Sequence, residues 1–169
     1  MNDIRVIDNF LDKNNLTKLQ DMIMDKNFPW YISSSSDYEN DNNTQLTHLL
    51  YNNHVSFSDY FPKFYKIYDK LEVFALYKIR LIATMKYNGI ENIYHKDIEK
   101  IQHPNNCTTA VFYLNDNDGG TQFECNNEII KSKENRMVIF PTILRHRTVK
   151  HTTDLPFRYV LNINYVGIF

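Results

Sequence analysis

In the first part of the chain the apolar residues fall at helical spacing. Leu16, Leu19, Met22 and Ile23 recur every three or four positions and predict a helix over 13–26. Tyr60, Phe61, Phe64 and Tyr68 repeat the pattern and predict a second helix over 57–71, with Pro62 tolerated in its first turn. The run Asp69-Lys70-Leu71-Glu72 carries that prediction on toward Tyr77, as a continued or restarted helix. A short strand over 4–10 is expected before the first helix and another over 46–51, while Pro29 marks where the first helix has ended. The stretch 33–44 is rich in Ser, Asn and Asp and reads as a loop. It is long enough to be a lid candidate, though an idle solvated connection is the commoner reading of such a stretch.

From Tyr77 onward the period changes to two. Ile79, Leu81, Ala83, Met85 and Tyr87 alternate with Lys78, Arg80, Thr84 and Lys86, which predicts a strand, and Asn88-Gly89 predicts a turn after it. Further strands are predicted over 108–114, 121–125, 128–131, 136–140, 145–150 and 157–166, separated by polar turns such as Asn115 to Gly120 and Asn126-Asn127. Helices early and short strands late predict an α+β domain in which N-terminal helices support an antiparallel sandwich or barrel. We read 1–169 as a single domain, with 1–76 a helix-rich support and 77–169 the strand core.

Composition narrows the possibilities only a little. The chain has 169 residues with 43% hydrophobic and 23% charged content, enough to bury one core. A formal net charge of −1 gives no general attraction to nucleic acid or anionic membrane. Cys107 and Cys125 stand apart with no CxxC spacing, against a disulfide scaffold or a thiolate metal site, and both read as packing residues. With no apolar run of membrane-span length and no signal-peptide core, the cytoplasm is the expected location, for a monomer or small homo-oligomer.

Candidate chemistry gathers in the strand half. His95 and Asp97 lie two apart in an extended stretch, so both side chains point to one face and could grip one ion. A third ligand is offered by His146 or His151; His146 follows the buried run Met137 to Pro141 and is the better held. Two imidazoles and one carboxylate make a facial triad with open positions, suited to non-haem Fe(II). In the last strand Arg158, Val160, Asn162 and Asn164 alternate with Tyr159, Leu161, Ile163 and Tyr165. The second set is a packing face, so the first turns a guanidinium and two amides toward an interior. A buried guanidinium needs an anion, either a protein carboxylate or one end of a bound diacid. Thr121 and Asn162 are expected to line the pocket, while His48 and His54 are expected to be structural; His103, in the loop after the ligand pair, could touch substrate but reads more readily as a plain loop residue.

The ordered set His95-x-Asp97, His146 and Arg158 resembles the 2-oxoglutarate- and Fe(II)-dependent dioxygenases, in particular the prolyl-hydroxylase-like branch and its small phage and marine forms. Val111-Phe112-Tyr113-Leu114-Asn115, Gly119-Gly120-Thr121-Gln122-Phe123 and Asn135 to Pro141 support the resemblance, as do Val6 to Leu11 and Phe28-Pro29-Trp30 near the start. The resemblance implies a double-stranded β-helix, or jelly roll. It implies Fe(II) on His95, Asp97 and His146, and 2-oxoglutarate held at its distal carboxylate by Arg158 and Tyr113, with Tyr87 also touching the cosubstrate. Met85 departs from the Asn of several relatives, and the 12-residue interval from His146 to Arg158 is slightly long, so a bulge is expected over 150–156.

The implied activity is O2-dependent hydroxylation coupled to decarboxylation of 2-oxoglutarate to succinate, with ascorbate as a possible stimulant. Peptidyl proline or another amino-acid residue is the first substrate expectation. Alternatives are oxidation of nucleic acid or a small molecule by the same mechanism, a silent jelly-roll binding module, or Zn(II) or Mn(II) in a cupin-like site. For the nucleic-acid alternative, Lys96, Lys100, Arg145, Arg147 and Lys150 are the candidate basic surface.

Overall fold

The spacing of Leu16, Leu19 and Ile23 folds as α1 (Lys13–Met24). Asp12 starts it, its carboxylate accepting from the Asn15 backbone N–H at 3.0 Å. The structure, a computed structural model, describes residues 4–34, 43–98 and 107–167. The second helical stretch is shorter than its apolar spacing predicts: a 3-10 turn at Phe61–Phe64 carries Pro62 and leads into α2 (Tyr65–Lys70). The expectation of helix toward Tyr77 is overturned. Glu72 takes a φ of 51° and the chain is a strand from Val73. A left-handed residue thus ends the helix without the glycine that usually advertises one.

The strands are β1 (Arg5–Ile7), β2 (Tyr31–Ser33), β3 (Gln45–Asn52), β4 (Val55–Ser56), β5 (Val73–Met85), β6 (Thr108–Tyr113), β7 (Gly120–Phe123), β8 (Ile129–Lys131), β9 (Arg136–Pro141), β10 (His146–Val149) and β11 (Phe157–Gly167). The larger sheet runs β1-β9-β6-β11-β5-β3-β2, with β4 on β3, and the smaller runs β10-β7-β8. From β5 onward the chain shuttles between the two sheets. It leaves β5, touches the small sheet where His95 bridges His146, returns as β6, crosses for β7 and β8, and returns as β9. It then crosses for β10 and ends as β11 in the middle of the larger sheet. That path is a two-layer antiparallel jelly roll in which one strand has shrunk to the single bridge at His95. The first 76 residues, expected as helical support, also put β1 on β9 and extend the large sheet beyond β5 with β2, β3 and β4.

Each face of the large sheet has its own apolar cluster. Leu161, Ile163 and Tyr165 of β11 join Leu16, Leu19 and Ile23 of α1, with Phe64, Ile67 and Phe112, on the outer face. Val160, Val111, Tyr113, Val138 and Phe140 turn the other way and meet Phe123 and Ile130 of the small sheet. All six residues of β6 are buried, because this central strand is covered on both faces. Among the described residues no helix is long and apolar enough to cross a membrane. The lid candidate at 33–44 falls mostly, and His103 and Lys100 wholly, outside the described residues.

Candidate metal and anion site

The alternation of β11 puts Arg158, Val160, Asn162 and Asn164 on the face between the sheets. Asn162 and Asn164 donate through Nδ2 to Asp97 Oδ2, at 3.0 and 2.9 Å. The other carboxylate oxygen, Oδ1, faces His95 Nε2 at 3.7 Å and His146 Nε2 at 3.8 Å. The three ligand-capable atoms lie within 4.8 Å of one another. His146 Nδ1 lies 3.0 Å from the Leu144 carbonyl oxygen and His95 Nδ1 lies 3.4 Å from that of Ile93. A carbonyl can only accept, so each Nδ1 carries the proton and each Nε2 presents a lone pair to the centre. The two histidines are also joined through the main chain: His95 N–H donates to His146 O at 2.9 Å and His146 N–H to His95 O at 3.0 Å.

The electrostatics fit a cation. Burial pushes the Asp97 carboxyl upward, but hydrogen bonding to His95, the charges that His146 and His95 carry when protonated, and the Asn162 amide outweigh it; a cation held between neutral imidazoles would act in the same direction. The group is held well below the usual carboxylate range and stays an anion. Two neutral nitrogens and one oxygen on one side of an ion leave its other positions open, a donor set that suits Fe(II) among the divalent metals. The paired amides orient the oxygen that faces away from the ion. Replacing both, as Asn162→Leu with Asn164→Leu, is expected to weaken Zn(II) binding about 10- to 100-fold in competition with a chromophoric chelator. An unchanged affinity would show that the amides do not orient the ligand.

Farther along the same face the character changes. Arg158 is 2% exposed, donates from Nε to Ser132 Oγ at 2.8 Å, and sets its guanidinium 5.2 Å from the Tyr113 ring centre. Tyr113 donates its hydroxyl to Thr121 Oγ1 at 2.8 Å. Burial lowers the Arg158 pKa and Tyr113 partly restores it; no acidic group of the described residues takes part. A guanidinium stays protonated even so. Thr84 stands opposite Arg158 in the register of β5 and β11, and its hydroxyl is buried without a partner among the described residues. His151 is fully buried; its Nδ1 is 3.0 Å from Thr153 Oγ1, and its Nε2 has no partner among the described residues. Burial pushes its pKa down, with Arg158 among the charges acting the same way. This end therefore holds a buried cation and orphaned polar atoms nearby, a set that an anionic acceptor would satisfy.

The remaining expected residues are placed as follows. His146 and not His151 completes the cluster. Tyr87 is exposed; its backbone N–H donates to His151 O at 2.8 Å. Its side chain lines a cavity of about 320 Å³ with Glu91, Asn92, Arg147 and Val149. Met85 is exposed and pairs with Phe157 in the register of β5 and β11. His48 bonds the Pro29 carbonyl and Ser58 Oγ, each at 2.7 Å, and His54 sits at φ 67° in the turn before β4. Cys107 is buried as a packing residue, but Cys125 is exposed, which corrects the reading of it as one. The basic surface is largely spent on internal bonds. Arg145 pairs with Glu124 at 2.7 Å, Arg147 with Glu91 at 2.5 Å, and Lys150 with Asn43 and Asn88 at 2.7 and 2.9 Å. Ser132, Thr84 and the bond from Asn164 to Asp97 were not expected. Asn164 was open to inference from the period of β11, whereas Ser132 carries no signal in the sequence.

No protein-family model matches the sequence, and no curated protein does. Solved structures do match. The non-haem α-ketoglutarate-dependent epimerase SnoN from nogalamycin biosynthesis superposes with a TM-score of 0.70 at 12% identity, over 98% of this chain and 79% of that one. The viral collagen prolyl hydroxylase of Paramecium bursaria Chlorella virus-1, solved with 2-oxoglutarate, gives 0.62 at 14% identity over 98% and 96%. HygX of Streptomyces hygroscopicus, solved with nickel and 2-oxoglutarate, gives 0.67 at 11% identity over 99% and 84%. At such identities the shared property is the fold, a jelly roll.

Proposed function

We propose that the chain is an Fe(II)- and 2-oxoglutarate-dependent oxygenase, with His95, Asp97 and His146 holding the metal and Arg158 holding the distal carboxylate of 2-oxoglutarate. One observation carries the reading: a fully buried guanidinium with no acidic partner among the described residues shares a strand face with the two amides that grip Asp97. Four residues along a strand span about 13 Å. That distance leaves room for an ion and a five-carbon diacid between the long Arg158 side chain and the triad. Fe(II) and 2-oxoglutarate together supply the oxidising power for O2-dependent hydroxylation, with succinate and CO2 as co-products.

The chain's own residues bind, orient and exclude water. Asn162 and Asn164 fix the unliganded oxygen of Asp97, and the Leu144 and Ile93 carbonyls fix the imidazole tautomers. Tyr113 lies against Arg158, where its hydroxyl can turn from Thr121 to a bound carboxylate. Val160, Phe123 and Phe140 keep the floor apolar. For substrate we propose an amino-acid residue of a peptide, proline first, a reading supported by the fold shared with a viral collagen prolyl hydroxylase. Oxygen as cosubstrate, stimulation by ascorbate, a single 1–169 domain and a cytoplasmic setting belong to the same proposal.

Adding 2-oxoglutarate to the Fe(II)-loaded protein without oxygen should give a visible charge-transfer band, and admitting air with ascorbate and peptide pools should release succinate. A protein that gives neither is not an oxygenase of this kind.

A further inference from the structure

The inward face that carries Asn162 and Asn164 continues onto the next strand. In the register of β5 and β11, Arg80 stands opposite Asn162 and Lys78 opposite Asn164. Directly opposed residues in an antiparallel pair project to the same face. Both cations therefore rise beside the amides that hold Asp97, while Ile79 between them is buried in the outer cluster. Lys78 and Arg80 are half-buried, and among the described residues neither side chain makes a hydrogen bond or an ion pair. Burial acts first on the Lys78 ammonium and lowers its pKa; Arg80 lowers it further, and Asp97 opposes both. Asp97 is thus near, but it is not their partner. One of its oxygens is committed to the two amides and the other faces the two imidazoles.

Two like charges two residues apart on one face repel, and half-burying each without an anion costs free energy. Arg145, Arg147 and Lys150 do not share this condition, since each has a partner, and Lys96 is exposed. We propose that Lys78 and Arg80 bind a single anionic group, a carboxylate or a phosphate monoester, on the substrate that is oxidised. The proposal rests on the oxygenase reading and changes its substrate, from a neutral peptidyl proline to a small acid or an amino-acid residue bearing an anion. Residues i and i+2 on a strand are about 7 Å apart, so two long cationic side chains can converge on one group. Leu49 opposite Arg80 and the inward Ile82 offer apolar contact to the rest of such a molecule, and Thr47 and Asn52 offer hydrogen bonds. A polynucleotide would call for a row of cations following its backbone, whereas this is a doublet.

The test uses the isotope-labelled protein loaded with Zn(II), which is redox-inert, and 2-oxoglutarate. Acetate and methyl phosphate are titrated separately while the Arg80 side-chain N–H and the β5 amides are followed by NMR. Saturable shifts centred on Arg80 are expected with one of the two anions, which identifies the group. Arg80→Gln and Lys78→Gln, each checked by its amide spectrum for an intact fold, should weaken that binding at least tenfold. Shifts that never saturate with either anion overturn the proposal, as does saturation that survives in both variants. Tighter binding of single-stranded oligothymidylate than of either small anion also overturns it. If the wild type does not bind 2-oxoglutarate, the oxygenase reading fails on its own; the anion titrations are then run without it and still decide the role of Lys78 and Arg80.

Discussion

His146→Ala is expected to abolish 2-oxoglutarate turnover, by about a thousandfold or more, with loss of stoichiometric metal binding. The imidazole is one of three ligands, and no other histidine among the described residues joins the cluster. Its ring lies edge-on to Phe140 at 4.8 Å and tilted against Phe123 at 6.2 Å, and these apolar neighbours offer no substitute ligand. Its main-chain bonds to His95 do not depend on the side chain and survive the substitution. Zn(II) titration with a thermal melt of the same sample separates a lost ligand from a lost fold. His151→Ala is the matched control, expected to keep one metal per chain because His151 lies outside the cluster. Turnover by the His146 variant within tenfold of wild type, with metal bound one to one, would remove His146 from the ligand set.

The second large effect falls on the cosubstrate. Arg158→Met should weaken 2-oxoglutarate binding about 100- to 1000-fold, since a bidentate charge-assisted pair in a buried place contributes about 3–4 kcal/mol. Calorimetry on the Mn(II)-loaded protein gives the number. Discrimination should go with it: the wild type prefers 2-oxoglutarate to 2-oxobutyrate, which lacks the distal carboxylate, and the variant should bind both alike. Without ligand the same change should not harm the fold. Methionine fills much of the same volume and removes a buried charge that has no acidic partner among the described residues, so the melting temperature should hold or rise. Affinity within threefold of wild type would mean that the guanidinium serves the fold and not a diacid.

Much of this site could be read from sequence because it is written in short periods. His95 and Asp97 are two apart in extended chain, and the inward set of β11 follows from alternation against Leu161, Ile163 and Tyr165, which pack outward. Both inferences need only the two-residue repeat of a strand. What could not be read depends on register and on backbone shape. The alternation of β5 separates Lys78 and Arg80 from Ile79 and Leu81, but only the pairing with β11 puts the two cations beside Asp97. The early end of α2 was hidden because Glu72 adopts a left-handed conformation that its side chain does not announce. The exposure of Tyr87, just past the end of β5, is likewise set by backbone shape and not by its motif. The burial of His151 comes from a backbone crossing at Gly119, where an added Cβ would sit 2.6 Å from the Val149 carbonyl oxygen and 3.0 Å from the His151 nitrogen.

The bridge between His95 and His146 has a thermodynamic corollary. An ion shared by two distant residues usually strengthens a fold by closing the loop between them, as structural zinc does in domains that unravel without it. Here two main-chain hydrogen bonds have already closed that loop, so the ion inherits a finished circuit and has little chain entropy left to remove. By that argument the fold would not depend on a metal at this site, and an ion bound there would leave or exchange without an unfolding step.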